Sequence, residues 1–450
     1  DTLVRHDRLK DAALHVAIER AIRYLGQVLL RAYQVYMPYP SSVWREVHAL
    51  YEFAERLRVL DETIPAPREE GDRSTIGRRY KQVLLLGLSN PYQLPPNECL
   101  RVYDFLDMWA DKATLGRDCD VTNPVGYFLL DLTADAPPLA FPRDTKVDAS
   151  PRLRVLNATG LASAVHIFIT RLQKGETPKA LDLGTECFGP ACVDMLRRMV
   201  KSWGLSARRQ FSRTKTEESF SVCLGINALH FFTSGQRPFA PPDPELPRAQ
   251  VEHDDALDID LALLQDDPDA LRPDTARTAP QEIYRVEDWQ ALDTSASGVA
   301  LSRRGEGQTH VRVGDLAGIS DEHTQRWRVG VVRWLKSPHP EEIEIGIEML
   351  APHTEAAAVR AAATKVPSRY TRALLLPGLP ALRKPNSLLI AAGTLQLGQA
   401  LELLREDRTS LIKATHLLER TAAFEHLVYV EITRPTSESA APTSDAAPEA

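Results

Sequence analysis

Two short stretches of the chain concentrate side chains that could do binding chemistry. Arg208-Arg209-Gln-Phe-Ser-Arg213 sets three guanidinium groups within six residues. Asp293-Thr-Ser295-Ala-Ser-Gly298 sets a carboxylate, a hydroxyl and a glycine close together. Arginine presents a rigid planar fork that pairs phosphate oxygens bidentately, reads the O6 and N7 edge of guanine and stacks on flat rings. An aspartate accepts from ring N–H and amino donors, and a serine hydroxyl both donates and accepts. Gly298 permits a turn conformation and a close backbone approach that a Cβ would obstruct. A plainer reading stands beside this one, in which the arginines are a solvated basic flank and Asp293 to Gly298 an Asx-type turn.

The elements that must position these residues are strands. Ser219-Phe-Ser-Val-Cys-Leu224 alternates with period two, and the apolar run continues through Leu229-His-Phe-Phe232. Further strands are expected at Trp289–Leu292, Val299–Ser302, Val311–Val313, Trp327–Leu335 and Ile343–Leu350, with turns at Gly314-Asp315 and Ser337–Pro340. Short strands at this spacing suggest a small antiparallel barrel. Between Asp243 and Asp269 the chain holds ten Asp or Glu against one Arg. Such a stretch has too little apolar surface to offset its ordering entropy, so residues 235–285 read as an acidic, mobile surface insertion.

Before the barrel the pattern is helical. Apolar residues recur at three and four spacing from Leu14 through Ala17, Ala21, Leu25, Val28, Leu29, Ala32 and Val35, and Pro38 and Pro40 stop the helix. Ser41 or Ser42 can cap a second helix, and others are expected at about 76–88, 96–114, 158–173 and 189–203. After the barrel, Arg372–Leu376, Ser387–Ile390, Leu401–Leu404, Ser410–Lys413 and Leu427–Ile432 read as strands. The expected organisation is a helical domain at 1–115, a linker with helices at 116–205, a barrel at 206–355, a smaller β-rich section at 356–434 and a disordered tail at 435–450.

Composition narrows the function classes. Lys and Arg total 54 against 61 Asp and Glu, a net charge of -7 that argues against a general coat for nucleic-acid polymers. No apolar run is long enough to span a membrane. Five cysteines, Cys99, Cys119, Cys187, Cys192 and Cys223, are too few and too scattered for a disulfide framework. They read as buried thiols in a cytoplasmic protein, with no metal set completed. No phosphate loop, nucleophile elbow or paired-His helix is present, and nothing sets a base beside a nucleophile, so no catalytic residue is expected.

The two binding stretches, taken in order with the strands after them, resemble the PilZ family of cyclic-di-GMP receptors. That family carries an RxxxR element at the barrel entrance and a [D/N]xSxxG turn. Arg209 and Arg213 match the first, with Arg208 as the frequent extra arginine, and Asp293, Ser295 and Gly298 match the second. The resemblance covers about 206–350. It implies an α+β multidomain protein whose six-stranded antiparallel barrel is interrupted by the acidic insertion. It further implies cyclic di-GMP as ligand, no cofactor and no enzymatic activity. The output would be a protein partner reached through the helical or C-terminal region. The spacing between the motifs exceeds the family's usual one, and Gln281-Glu-Ile-Tyr-Arg285 offers a second alignment without the first arginine. On that alignment the chain would be a ligand-free interaction scaffold on a degenerate barrel.

Overall fold

A computed structural model describes residues 11–65, 73–143, 146–183, 187, 189–204, 213–216, 218–242, 284–305, 310–321, 326–362, 368–378, 384–395, 397–406 and 408–432. Arg208, Arg209, most of the acidic insertion and the C-terminal tail lie outside the described residues. Two compact units are distinguished, Asp1–Glu218 with Gln290–Val313 and Val332–Glu348, and Ser219–Trp289 with Gly314–Val331 and Met349–Ala450.

The first unit opens with helices α1 (Asp11–Gln34), α2 (Val43–Leu57), α3 (Ile76–Leu88) and α4 (Glu98–Trp109), with a small pair of strands, β1 (Ile64–Pro65) and β2 (Arg73–Ser74), between α2 and α3. Pro38 and Pro40 follow the end of α1, and α3 has the expected bounds. The α1 core face matches the expected one in part, since Leu14 and Leu25 pack against the core and Leu29 lies in it. Ile18, Ile22, Leu29, Leu30 and Tyr33 are buried, whereas Val28 and Val35 are exposed. Neither serine caps α2 with its hydroxyl. The Asp135 carboxylate does so from 93 residues away, accepting from Ser42 N at 2.6 Å and from Arg45 N at 3.2 Å. A carboxylate at a helix start satisfies orphan N–H groups and the positive end of the dipole together.

Residues 114–204 do more than connect. They build a sheet of β3 (Thr114–Gly116), β4 (Tyr127–Asp131), β5 (Leu139–Ala140) and β6 (Leu153–Asn157), in the order β3-β6-β4-β5, and add helices α5 (Thr159–Gln173) and α6 (Gly189–Gly204). Phe128, Leu156, Leu161 and Trp203 join the same core as Trp44, Tyr80 and Leu106. Glu55 of α2 ties the sheet to this core: Arg154, almost wholly buried, donates to it from Nε at 2.9 Å and also from Nη2, and Arg117 donates at 2.6 Å. Cys187 and Cys192 are joined as a disulfide, which corrects the expectation of free thiols there. Cys99 and Cys223 are buried thiols, each pushed up to about 12 chiefly by burial.

Next come β7 (Ser219–Leu224), helix α7 (Gly225–Thr233), β8 (Glu287–Ser295), β9 (Gly298–Arg304), β10 (Leu316–Asp321), β11 (Arg328–His339) and β12 (Glu342–Ala351). These six strands close as an antiparallel barrel in the order β10-β11-β12-β9-β8-β7. The apolar stretch to Phe232 is therefore a helix, not a continued strand. Gly225, at φ 83, turns the chain after β7, and Ala228, Leu229 and Phe231 are buried. A short apolar run does not by itself separate a buried helix from a strand. Val311–Val313 is likewise not a strand, although Val311 and Val313 are buried; the strand is β10, three residues on, past the turn at Gly314.

The C-terminal section holds β13 (Glu355–Ala361), β14 (Thr371–Leu376), β15 (Ser387–Ala391), β16 (Ala400–Arg405), β17 (Arg408–Arg420) and β18 (Phe424–Glu431). It is a second closed six-stranded barrel, in the order β13-β14-β15-β18-β17-β16. Strand β13 went unread because Glu355-Ala-Ala-Ala-Val-Arg-Ala361 favours helix by propensity. Its Ala357 and Val359 instead join Leu375, Leu388, Leu401 and Ile412 in the barrel's core, where small side chains fit a narrow interior. In the second unit, α7 contributes Ala228 and Leu229 to a core shared with Leu316, Val329, Leu374, Leu389 and Phe424. Among the described residues no helix is long and apolar enough to cross a membrane.

Candidate functional site

Strands β8 and β9 form a hairpin whose end carries the second binding stretch. Ser295 pairs with Gly298, Thr294 with Val299 and Asp293 with Ala300. A register shift then intervenes, because Ala291 pairs with Leu301 and Leu292 has no counterpart. This bulge decides where Asp293 points. Ala291 and Leu301 are buried and share one face of the hairpin. Regular alternation would put Asp293 on that same face. One inserted residue flips every side chain after it, so Asp293 and Ser295 share the opposite face with Ala300 and Gly298.

The entrance segment meets this hairpin directly. Arg213 Nη1 lies 3.0 Å from Asp293 Oδ2, across 80 residues of sequence. Beside it Thr214 and Thr294 exchange two backbone hydrogen bonds of 2.9 Å, and Ala291 N donates to Glu218 O at 2.9 Å. The side chains of Arg213 and Asp293 retain 42% and 25% of their accessibility, so solvent, or a ligand, reaches both. Ser295 Oγ donates to Gly298 O at 3.2 Å, closing the turn. Gly298 does not hold a positive φ. A Cβ there would overlap Ile347 O, with Ile347 C at 3.3 Å and Glu348 Cα at 3.4 Å. Of the two reasons read for this glycine, close backbone approach is the operative one.

Four of the six expected binding residues, Arg213, Asp293, Ser295 and Gly298, are thus gathered at one hairpin end, while Arg208 and Arg209 lie outside the described residues. Thr214 and Thr294, which fasten the two segments, were not foreseen. They act through backbone groups, which leave no mark in residue type. Tyr284 of the alternative alignment is instead packed against the Phe231 ring at 4.9 Å. A cavity of about 540 Å³ above β3, β4 and β6 includes none of these residues. Among the described residues no group of three or more His, Cys, Asp or Glu could hold a metal ion.

Comparison with known proteins finds relatives along most of the chain. The family model "Cyclic-di-GMP receptor FimW, middle PilZ domain" matches residues 127–257 and 248–356. The N-terminal domain model of the same receptor matches residues 2–118, and the FimW C-terminal beta-barrel domain matches 356–432. The cyclic-di-GMP receptor FimW of Pseudomonas aeruginosa is 27% identical over 434 residues, covering 89% of this chain and 69% of that protein. No solved structure matches the chain. The PilZ match begins at 127, so β4–β6, α5 and α6 fall within it although side chains of β4, β6, α5 and α6 complete the helical core. With its three models matched in order and the middle one spanning half of the sequence, the chain belongs to the family of the cyclic-di-GMP receptor FimW.

Proposed function

We propose that this chain binds cyclic di-GMP at the β8–β9 hairpin end and relays the nucleotide's level to a protein partner in the bacterial cytoplasm. The observation that carries the reading is the Arg213–Asp293 pair, which unites the two motifs despite the long acidic insertion between them. Both groups in this pair are part-exposed, so it is a weak ion pair, about 0.2–1 kcal/mol, and readily exchanged. A guanine edge offers N1–H and N2–H2 donors to Asp293, and Arg213 is then released to a phosphate or a base face. Arg208, Arg209 and Arg213 would close over the ligand from one side, with Ser295 at a base edge or phosphate. No metal, cofactor or catalytic group enters this scheme.

A relay also has a physical route within the first unit. Ser337 N of β11 donates to Tyr36 O, just after α1, at 2.8 Å, and Lys336 Nζ lies 5.2 Å from the Tyr92 ring centroid and 5.9 Å from that of Trp334. Trp334 in turn lies against Gly346, which pairs with Ala300, the residue opposite Asp293.

Calorimetric titration of the full chain with cyclic di-GMP tests the reading. The expected result is micromolar or tighter binding, lost in Arg209→Ala and in Asp293→Ala, with the nucleotide recovered intact. An absence of heat and of any thermal shift would leave the interaction scaffold as the function.

A further inference from the structure

The outer face of α1 carries apolar residues that folding leaves uncovered. Arg20, Tyr24, Val28, Arg31 and Val35 follow one another at spacings of four, four, three and four, which is a single stripe on a helix. Tyr24 is 61% exposed, Val28 41%, Val35 58% and Met37, just beyond the helix, 38%. Scattered exposed apolar residues need no explanation, but a contiguous set does. Val28, Ala32, Val35, Met37, Pro38 and Pro40 line a groove of about 570 Å³ together with Arg31 and Gln34, where Arg31 Nη1 donates to Gln34 Oε1 at 3.0 Å, and no carboxylate is among its lining residues. In a chain of net charge -7 this is a local basic and apolar surface. The groove also continues into the contact with the middle barrel. Tyr36, between Val35 and Met37, holds a positive φ of 57, receives Ser337 N on its carbonyl and donates its hydroxyl to Leu94 O at 2.7 Å.

We infer that this groove is the docking site for an acidic amphipathic helix of a partner protein, with leucine-like side chains at helical spacing seated between Val28, Val35 and the prolines. Arg31 and Arg20 select acidic flanks over basic ones. Helix-in-groove recognition of this kind depends on anchors at i, i+3, i+4 and i+7 and on charge complementarity for register and choice of partner. Because Tyr36 is pinned to β11, occupancy of the groove is sensed by the barrel. Only that coupling rests on the nucleotide reading; groove binding itself is measured without nucleotide.

The test uses the full chain and two fluorescein-labelled helical peptides of sixteen residues. Both carry leucine at helical spacing; one has glutamate at the remaining positions and the other lysine. The glutamate peptide is expected to bind at least about fivefold more tightly than the lysine peptide, about the selectivity one part-exposed ion pair confers. Val35→Glu should abolish binding of the glutamate peptide, and Arg31→Glu should reverse the order of the two peptides. Unchanged melting and unchanged cyclic-di-GMP titration of these variants would show that both still fold. Equal binding of the two peptides, or none by the glutamate peptide, overturns the proposal. So does competition for the groove by anionic phosphatidylglycerol vesicles, or a concentration-dependent dimer abolished by Val35→Glu.

Discussion

A side chain at Gly298 should act by collision with a neighbouring strand, and this can be told apart from an effect on turn conformation. Gly298 opens β9 opposite Glu348 of β12 and holds no positive φ. A Cβ there overlaps Ile347 O, so β9 and β12 must part by roughly 1 Å, enough to lose close packing on both sides. One or two inter-strand hydrogen bonds are weakened, at about 1 kcal/mol each, and Gly298→Ala should therefore cost about 1–3 kcal/mol locally. Gly298→Asn should cost more, because a larger side chain meets the same carbonyl. Gly225 supplies the contrast. It holds φ 83 with nothing within 4 Å of an added Cβ, so only backbone conformation is constrained there. At Gly225, asparagine, which tolerates the left-handed region, should be accepted better than alanine. Amide hydrogen exchange of β9 and β12, with calorimetric cyclic-di-GMP titration of the same proteins, reads out both positions. If Gly298→Asn exchanges more slowly than Gly298→Ala and binds as well as the parent, steric contact with β12 is not the reason for this glycine.

Three further outcomes are expected. Thr214→Pro removes the N–H that reaches Thr294 O at 2.9 Å, so exchange at Thr294 should quicken and nucleotide affinity fall at least tenfold while the melting of the rest is unchanged; unaltered affinity would refute a fastening role. Asp293→Asn and Arg213→Ala should each shift stability by less than about 1 kcal/mol, the range for part-exposed pairs, and their double-mutant cycle in ligand binding should be non-additive, so additive losses would separate the two residues functionally. Burial pushes the Glu55 carboxyl up, but its bonds to Arg154 and Arg117 outweigh this and hold it at about 2 against an ordinary 4.5. A depressed carboxylate contributes stability that is complete above pH 4.5 and lost as pH falls towards 2, about 3 kcal/mol from the shift alone and about 1–2 after discounting for contact with water. The denaturation difference between the parent and Glu55→Gln should shrink across that window, and a difference flat in pH would show that the ion pairs contribute nothing.

Much of this protein is legible in local pattern, and the exceptions share a cause. Helix α3 and strands β7, β9, β12 and β15 lie within a residue or two of where periodicity puts them, because each presents one apolar face at its own repeat. The motif residues Arg213, Asp293, Ser295 and Gly298 are legible because their types and spacing resemble the two PilZ motifs. Whatever depends on a partner far along the chain was hidden. The alanine-rich β13 becomes a strand only because a narrow barrel interior accepts small side chains, and α7 becomes a helix because it is buried on neighbouring strands. Asp135 caps α2 from 93 residues away.

The site divides in the same way. Residue identity supplies its chemistry: guanidinium forks, a carboxylate and a glycine too small to collide. Pairing between distant strands supplies its geometry. The unpaired Leu292 turns Asp293 and Ser295 to the face opposite Ala291, and the two backbone hydrogen bonds between Thr214 and Thr294 bring Arg213 to them. A side chain's chemistry is local and can be read one residue at a time. Its direction is set by register, which exists only once two strands have met.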